Sequence, residues 1–100
     1  MAETIGEERI KLSSRLRYRT VGDEGVLVHL ENGRVLVVNA VGIHCVQALG
    51  RQPMTVAELA DAVVQEFDVD AAQARADVAA FLDRMRAEQA IDLPGAEAGA

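Results

Sequence analysis

Two runs of β-branched residues joined through Asn32-Gly33 constrain the fold of this chain more than any other feature. The first run is Gly25-Val-Leu-Val-His-Leu30, and the second is Val35-Leu-Val-Val-Asn39. Because Asn-Gly suits the positive φ angles of a type I′ turn, the sequence predicts a β-hairpin with a two-residue loop. The resulting register pairs Leu30 with Val35, His29 with Leu36, Val28 with Val37 and Leu27 with Val38.

A further strand is predicted just before this hairpin. There Arg15, Arg17 and Arg19 alternate with Leu16, Tyr18 and Thr20, which is the period of a β-strand. We expect the three arginines to share the outer face of the sheet with His29, Leu36 and Val38. Such a basic and partly apolar face suits an acidic partner protein or a second copy of the chain; alternatively, the arginines only keep the strand soluble.

From Ala40 onward the apolar residues follow the helical period. A short first helix is predicted to end at Gly50, at a position suited to a left-handed cap. Thr55-Val-Ala-Glu58 is a capping box that starts a second helix, and Asp70 can cap a third that runs to about Gln89. The predicted core residues are Val56, Leu59, Ala60, Val63 and Phe67 in the second helix, and Ala74, Val78, Phe81, Leu82 and Met85 in the third.

This order of elements predicts an α+β fold in which a three-stranded antiparallel sheet is followed by three helices. We expect one domain over residues 15–92, with a flexible N-terminal segment over residues 1–14 and a flexible tail over residues 93–100. If the strands lie in chain order, the third strand is an open edge. It carries neither proline nor lysine, so it can accept a partner strand.

Charge and cysteine content exclude several classes of function. The chain of 100 residues has 10 basic and 16 acidic residues, and its net charge of -6 opposes attraction to nucleic acid. The single cysteine, Cys45, cannot form an intramolecular disulfide, which favours a cytoplasmic location. The sequence also lacks an apolar run long enough to span a membrane, so we expect neither a nucleic-acid nor a membrane partner.

No residues have the arrangement that catalysis or metal binding requires. His44 and Cys45 are neighbours in a predicted helix, where their side chains point about 100° apart, so we do not expect a catalytic dyad. His29, His44 and Cys45 lack the spacing of metal ligands. We therefore predict a protein without catalytic residues, metal or cofactor.

The open edge and one row of the third helix suggest a binding site for an extended peptide. On that helix Arg75, Ala79, Leu82 and Arg86 fall within roughly 60° of one another. We expect a peptide to place apolar side chains against this row and acidic ones at its arginines; alternatively, these arginines are ordinary solvated residues. The peptide backbone would pair with the third strand at Val35, Leu36, Val37, Val38 and Asn39.

Three segments of the sequence resemble the PqqD-like family. They contain Asn39 and Gly42, then Thr55-Val56, and finally Asp77-Val78 with Phe81-Leu82. The resemblance spans about residues 16–91, and the order and spacing of the segments agree with the family pattern. The sequence departs from that pattern at Val46, at Gly50-Arg51 and at Gln89-Ala-Ile91.

The resemblance implies a winged-helix-like domain that recognises precursor peptides of ribosomal peptide modification pathways. Such a domain binds the leader segment of the precursor as an added strand and presents it to a modifying enzyme of the same pathway, either a radical S-adenosylmethionine enzyme or a leader peptidase. The alternative is a winged-helix regulator that binds DNA or another protein. The balanced charges of the third helix oppose DNA binding, and a homodimer remains open.

Overall fold

The computed structural model describes residues 8–92 and arranges them as strands followed by helices. The strands are β1 (Lys11–Leu12), β2 (Leu16–Val21), β3 (Glu24–His29), β4 (Val35–Val38) and β5 (Ile91–Asp92), and the helices are α1 (Ala40–Arg51), α2 (Val56–Glu66) and α3 (Ala71–Ala87). β2, β3 and β4 form an antiparallel sheet in chain order, with β4 at one edge. The predicted order of elements, a three-stranded sheet followed by three helices, is confirmed.

The turn between β3 and β4 differs from the predicted two-residue loop. Val35 pairs with Val28, and Val37 pairs with Val26, so each β4 residue lies opposite a residue two places earlier than expected. Only Gly33 has a positive φ, of 73°. The side chain of Asn32 instead accepts a hydrogen bond from the Arg34 N–H at 2.9 Å, which stabilises a longer turn.

In β3 and β4 the buried and exposed faces are the reverse of the prediction, whereas Arg17 and Arg19 of β2 are exposed as expected. A tight turn at Gly22, whose φ is 64°, pairs Val21 with Glu24. This register places Arg17 and Arg19 on the same face as the even-numbered residues of β3 rather than with His29. The residues expected on the outer face, His29, Leu36 and Val38, are buried instead.

The helices start at the residues that the sequence predicts. Thr55 and Glu58 form the expected capping box at the start of α2, and the Asp70 carboxylate accepts a hydrogen bond from Gln73 N–H at 2.7 Å to cap α3. The predicted core residues of α2 and α3 are buried, except that Phe67 and Phe81 are partly exposed. α1 continues past Gly50 to Arg51, so the cap expected at Gly50 is wrong.

The segment before β2 belongs to the folded domain, contrary to the predicted boundary at residue 15. Ile10 is completely buried, and it exchanges backbone hydrogen bonds of 2.8 and 3.1 Å with Met54. β1 then pairs with β5, which joins the two ends of the described chain. The predicted flexibility of residues 1–7 and of the tail over residues 93–100 lies outside the described residues.

His29 is a buried polar residue whose two ring nitrogens both have partners. The Glu31 N–H donates to Nδ1 at 3.2 Å, so the ring proton lies on Nε2, which donates to the Gln89 carbonyl at 3.1 Å. This contact joins the end of β3 to the second residue after α3. Because burial of an unpaired imidazole is costly, the contact explains why His29 can lie on the inner face.

Gln89 is the one residue other than glycine with a positive φ among residues 8–92, at 59°. Backbone bonds from Ala90 to Met85 and from Gln89 to Arg86 form a Schellman motif at the end of α3. We predict that Gln89→Gly stabilises the protein by about 0.5–1 kcal/mol, because glycine adopts this conformation without strain. Urea denaturation measures the change.

The matched control is Gln65→Gly. Gln65 is an exposed residue in the last turn of α2, where glycine is expected to cost about 0.5–1 kcal/mol because the backbone there is right-handed helical. Opposite signs for the two substitutions are the expected result, and equal losses of stability would contradict the backbone argument.

Candidate functional site

The free edge of β4 exposes backbone hydrogen-bonding groups at two residues. The His29 N–H donates to the Arg34 carbonyl at 2.9 Å, and bonded pairs alternate along an antiparallel ladder. Leu36 and Val38 therefore bond to β3, whereas the N–H and C=O groups of Val35 and Val37 point away from the sheet. These two residues can bond to an added strand.

The other edge of the sheet, β2, is less open to an added strand. Its first outward-facing carbonyl, that of Leu16, already accepts a hydrogen bond from the Arg17 side chain at 3.0 Å. Arg17 and Arg19 are both exposed along this strand, and charged side chains on an edge discourage strand pairing. The β4 edge lacks such protection.

A cleft of about 350 Å³ lies between the end of β4 and one face of α3. Residues of the β4–α1 segment form one wall, and residues spaced three and four apart on α3 form the other. The lining residues are Val38, Asn39, Val41, Gly42, Asp77, Ala80, Phe81 and Arg84. We call this cleft the β4–α3 groove; its position beside the free edge suits the side chains of an added strand.

Close packing at Gly42 forms the bottom of the β4–α3 groove. A Cβ atom at Gly42 would lie 2.9 Å from the Val38 Cβ and 3.0 Å from Cε1 of Phe81. Gly42 therefore allows the first turn of α1 to approach both β4 and α3. Asn39 caps this turn by accepting a hydrogen bond from the Gly42 N–H at 2.9 Å, which fixes where the helix starts.

Two contacts hold α3 to the turn before β4. Arg34 forms a two-pronged salt bridge with Glu88, with Nε–Oε1 and Nη2–Oε2 distances of 2.7 and 3.0 Å. Next to it, His29 donates to the Gln89 carbonyl. Both contacts flank a smaller cleft of about 260 Å³ lined by Asn32, Arg34, Ala87, Glu88 and Gln89. They connect the start of β4 with the end of α3 at this end of the groove.

The charged residues of the groove differ in whether their side chains have a bonding partner. The Asp77 carboxylate accepts a hydrogen bond from the Gln73 side chain at 2.8 Å. Arg84 is exposed and forms no salt bridge with any other residue between 8 and 92. Its guanidinium is therefore available to a carboxylate or a carbonyl oxygen of a bound molecule.

The structure brings the predicted strand residues to this site in different roles. Val35 and Val37 have exposed side chains and free backbone groups, while Leu36 and Val38 are buried. Asn39 both lines the groove and caps α1. These five residues thus lie together at the expected edge.

The predicted row on α3 does not line the groove. Leu82 is completely buried in the core, and Arg75, Ala79 and Arg86 are absent from the groove walls. At 100° per residue, this row points about 180° away from the row that contains Phe81 and Arg84. The two rows border the same buried stripe on opposite sides, and helical periodicity does not reveal which side faces β4.

Sequence reasoning therefore missed Gly42, Ala80, Phe81 and Arg84 as groove residues. The sequence predicts Phe81 as a core residue, and the ring is partly buried. Its position at the border of the apolar stripe is the one signal that could have indicated the groove. Gly42 carries no such signal, because the need for a small residue there arises only from the packing of three elements.

Within the described residues there is neither a cluster of metal ligands nor a reactive thiol. Between residues 8 and 92, no three His, Cys, Asp or Glu side chains cluster closely enough to hold a metal ion. Burial raises the pKa of the Cys45 thiol to about 12, so it stays protonated near neutral pH. His44 packs its ring edge-on against Phe67, with centroids 5.6 Å apart.

Of the helices in this part of the chain, none is long and apolar enough to cross a membrane.

Comparison with known proteins gives one family and two similar structures. Residues 24–91 match the family described as Coenzyme PQQ synthesis protein D (PqqD), which confirms the resemblance found in the sequence. No curated protein matches the chain.

The first similar structure is described as TbiB1 in complex with the TbiA(beta) leader peptide. It is 27% identical with a TM-score of 0.73, and the alignment covers 82% of this chain and 94% of TbiB1. The second is a lasso peptide synthetase B1 complexed with the leader peptide. It is 19% identical with a TM-score of 0.70, and the alignment covers 84% of this chain and 98% of the other; at this identity it supports the fold alone.

We predict that Gly42→Ala destabilises the protein by about 1–3 kcal/mol, because the added methyl group forces Val38 or Phe81 to move. Urea denaturation measures the loss of stability.

Gly50→Ala in the same helix is the matched control. Its Cβ would meet the Tyr18 hydroxyl at 2.8 Å, and this exposed ring can shift. Gly50→Ala is therefore expected to stabilise α1 by about 0.5–1 kcal/mol, and a similar gain for Gly42→Ala would contradict tight packing in the groove.

Proposed function

Because the chain belongs to the PqqD family, we propose that it binds the leader segment of a ribosomally made precursor peptide by adding it as a strand to β4. The observation that carries this proposal is the free β4 edge beside the β4–α3 groove. The outward N–H and C=O groups of Val35 and Val37 supply four backbone hydrogen bonds to an added strand. The groove supplies side-chain contacts next to them, and the two together constitute strand-addition recognition.

The similar structure with 27% identity supports the same occupant. TbiB1 is described in complex with a leader peptide, and it matches most of this chain at 27% identity. Strand addition also allows the site to select between peptides. The backbone bonds are independent of sequence, whereas every second side chain of the added strand faces the groove.

The chemistry of the groove indicates which side chains it selects. Near Val38, the side of the Phe81 ring and the small residues Gly42 and Ala80 leave room for an apolar group. Arg84 lies at the same cleft without a salt-bridge partner among the described residues. We therefore propose that the leader places an apolar side chain against Phe81 and an acidic or carbonyl oxygen near Arg84.

In this proposal the protein is an adaptor rather than an enzyme. It presents the bound precursor to a modifying enzyme of the same pathway, such as a radical S-adenosylmethionine enzyme or a leader peptidase. Precursor peptides of this kind are made on ribosomes, so we place the binding step in the cytoplasm. A DNA-binding role is not favoured, because the net charge of -6 opposes contact with phosphates.

Val37→Pro tests the strand-addition mechanism. Proline removes an N–H that points away from β3, so the sheet keeps its own hydrogen bonds while the added strand loses one. We expect leader affinity to fall at least about tenfold. The measurement is fluorescence polarisation with labelled leader segments of short peptides encoded beside the gene, and duplex DNA serves as a second probe.

Val37→Thr is the matched control, because it keeps both the β-branched shape and the backbone N–H. It is expected to bind the leader like the unchanged protein, and thermal unfolding verifies that both variants fold. A folded Val37→Pro variant with full affinity would refute pairing at β4. Salt-sensitive binding of duplex DNA without leader binding would favour a regulator instead.

Arg84→Glu tests the side of α3 that faces the leader. We expect charge reversal at this groove residue to weaken leader binding at least about threefold, because it replaces a free hydrogen-bond donor with a negative charge. Arg86→Glu makes the same charge change on the opposite side of α3 and is expected to have no effect. If only Arg86→Glu weakened binding in the polarisation assay, the leader would contact the other row.

A further inference from the structure

The outer face of the sheet carries two aligned rows of exposed side chains. In one row, Arg17 pairs with Val28, which pairs with Val35. In the other, Arg19 pairs with Val26, which pairs with Val37. Residues directly opposite each other in a sheet project to the same side. The two rows therefore form one surface, which we call the Arg–Val–Val face.

This surface exposes several neighbouring apolar side chains to solvent. Val35 and Val37 are 61% and 55% exposed, and Leu30 at the adjoining turn is 53% exposed. Val26 and Val28 are half-buried between these valines and the arginines. Contiguous exposed apolar residues on a folded domain indicate a surface that another molecule covers.

A strand added at β4 would extend both rows by one residue. If the added strand is antiparallel to β4, its residues that bond to Val35 and Val37 lie directly opposite them, so their side chains project from the outer face. The intervening residues project toward the β4–α3 groove. An added leader therefore presents two sets of side chains. One set contacts this protein in the groove, and the other becomes part of the Arg–Val–Val face.

We propose that the Arg–Val–Val face, completed by the outward side chains of the bound leader, is the docking surface for the enzyme that acts on the precursor. This inference rests on the proposed leader binding and adds the surface and the chemistry of the second partner. The fitting partner surface has an apolar centre over the valines and carboxylates on the side that meets the arginines.

Charge supports this choice of partner. The arginines lie at the β2 side of the face, and the Arg19 guanidinium has no salt bridge among residues 8–92. The Arg17 side chain bonds to the Ser14 and Leu16 carbonyls, which holds its charge at this position. The remainder of the chain is acidic: residues 35–100 contain ten acidic and four basic residues. An acidic partner is thus attracted to this face and repelled from the helical side.

A docking surface that includes the leader couples the two binding events. The enzyme is expected to bind the leader-loaded protein more tightly than the free protein. By thermodynamic linkage, the enzyme must then raise leader affinity by the same factor. We expect a factor of at least about ten, which is within the range typical of coupled binding sites.

The experiment measures binding of the modifying enzyme encoded beside this gene, by isothermal titration calorimetry with and without a saturating leader segment. Arg19→Glu is expected to weaken enzyme binding at least about tenfold, and Val28→Thr about threefold. Both variants are expected to keep full leader affinity, because neither residue lines the groove or bonds to the added strand. Arg86→Glu and Val64→Thr are the matched controls, since they make the same changes on exposed parts of α3 and α2 and are expected to have no effect.

Leader affinity measured on the same samples separates this inference from the proposed function. If the unchanged protein binds no leader, the proposed function fails together with this inference. If leader binding is intact but Arg19→Glu and Val28→Thr bind the enzyme as tightly as their controls, only the docking surface is refuted. Enzyme binding that is indifferent to the leader would also overturn it. So would sedimentation that shows a dimer lost in Val28→Thr, since a second copy would then cover this face.

Discussion

The antiparallel pairing of β4 with β3 sets both the free edge of the sheet and the face that packs into the core. It places the backbone groups of Leu36 and Val38 inside the sheet and those of Val35 and Val37 at the free edge. The same register sends Leu36 and Val38 into the core and leaves the two other valines exposed. A shift of one residue would bury the wrong side chains and reverse which backbone groups are free.

The turn before β4 and the start of α1 border the groove beside this edge. At one end, Arg34 and His29 hold the C-terminal end of α3 through Glu88 and the Gln89 carbonyl. At the other end, Gly42 lets α1 approach Val38 and Phe81. Contacts within the fold therefore border the groove at both ends.

An added strand at β4 would present alternate side chains to two different surroundings. One set meets the groove, where Phe81 and Arg84 lie, and the other joins the Arg–Val–Val face. This follows from the two-residue period of a strand and from the position of α3 on one side of the sheet only. A single peptide segment can thus bind this protein and still present side chains to a second protein.

The sequence alone determined the order of the elements, the helix starts at Thr55 and Asp70, and the open edge at β4. These features depend on local chemistry: capping side chains, the period of apolar residues and β-branched runs. It did not determine the hairpin register, where the Asn32 side chain supports a longer turn, or the buried face of the sheet, where His29 needs the distant Gln89 carbonyl. Nor did it show which side of α3 faces β4, because a buried stripe has two borders that are equivalent in sequence. Only the packing of α3 against β4 and α1 distinguishes them, and it selects the border with Phe81 and Arg84.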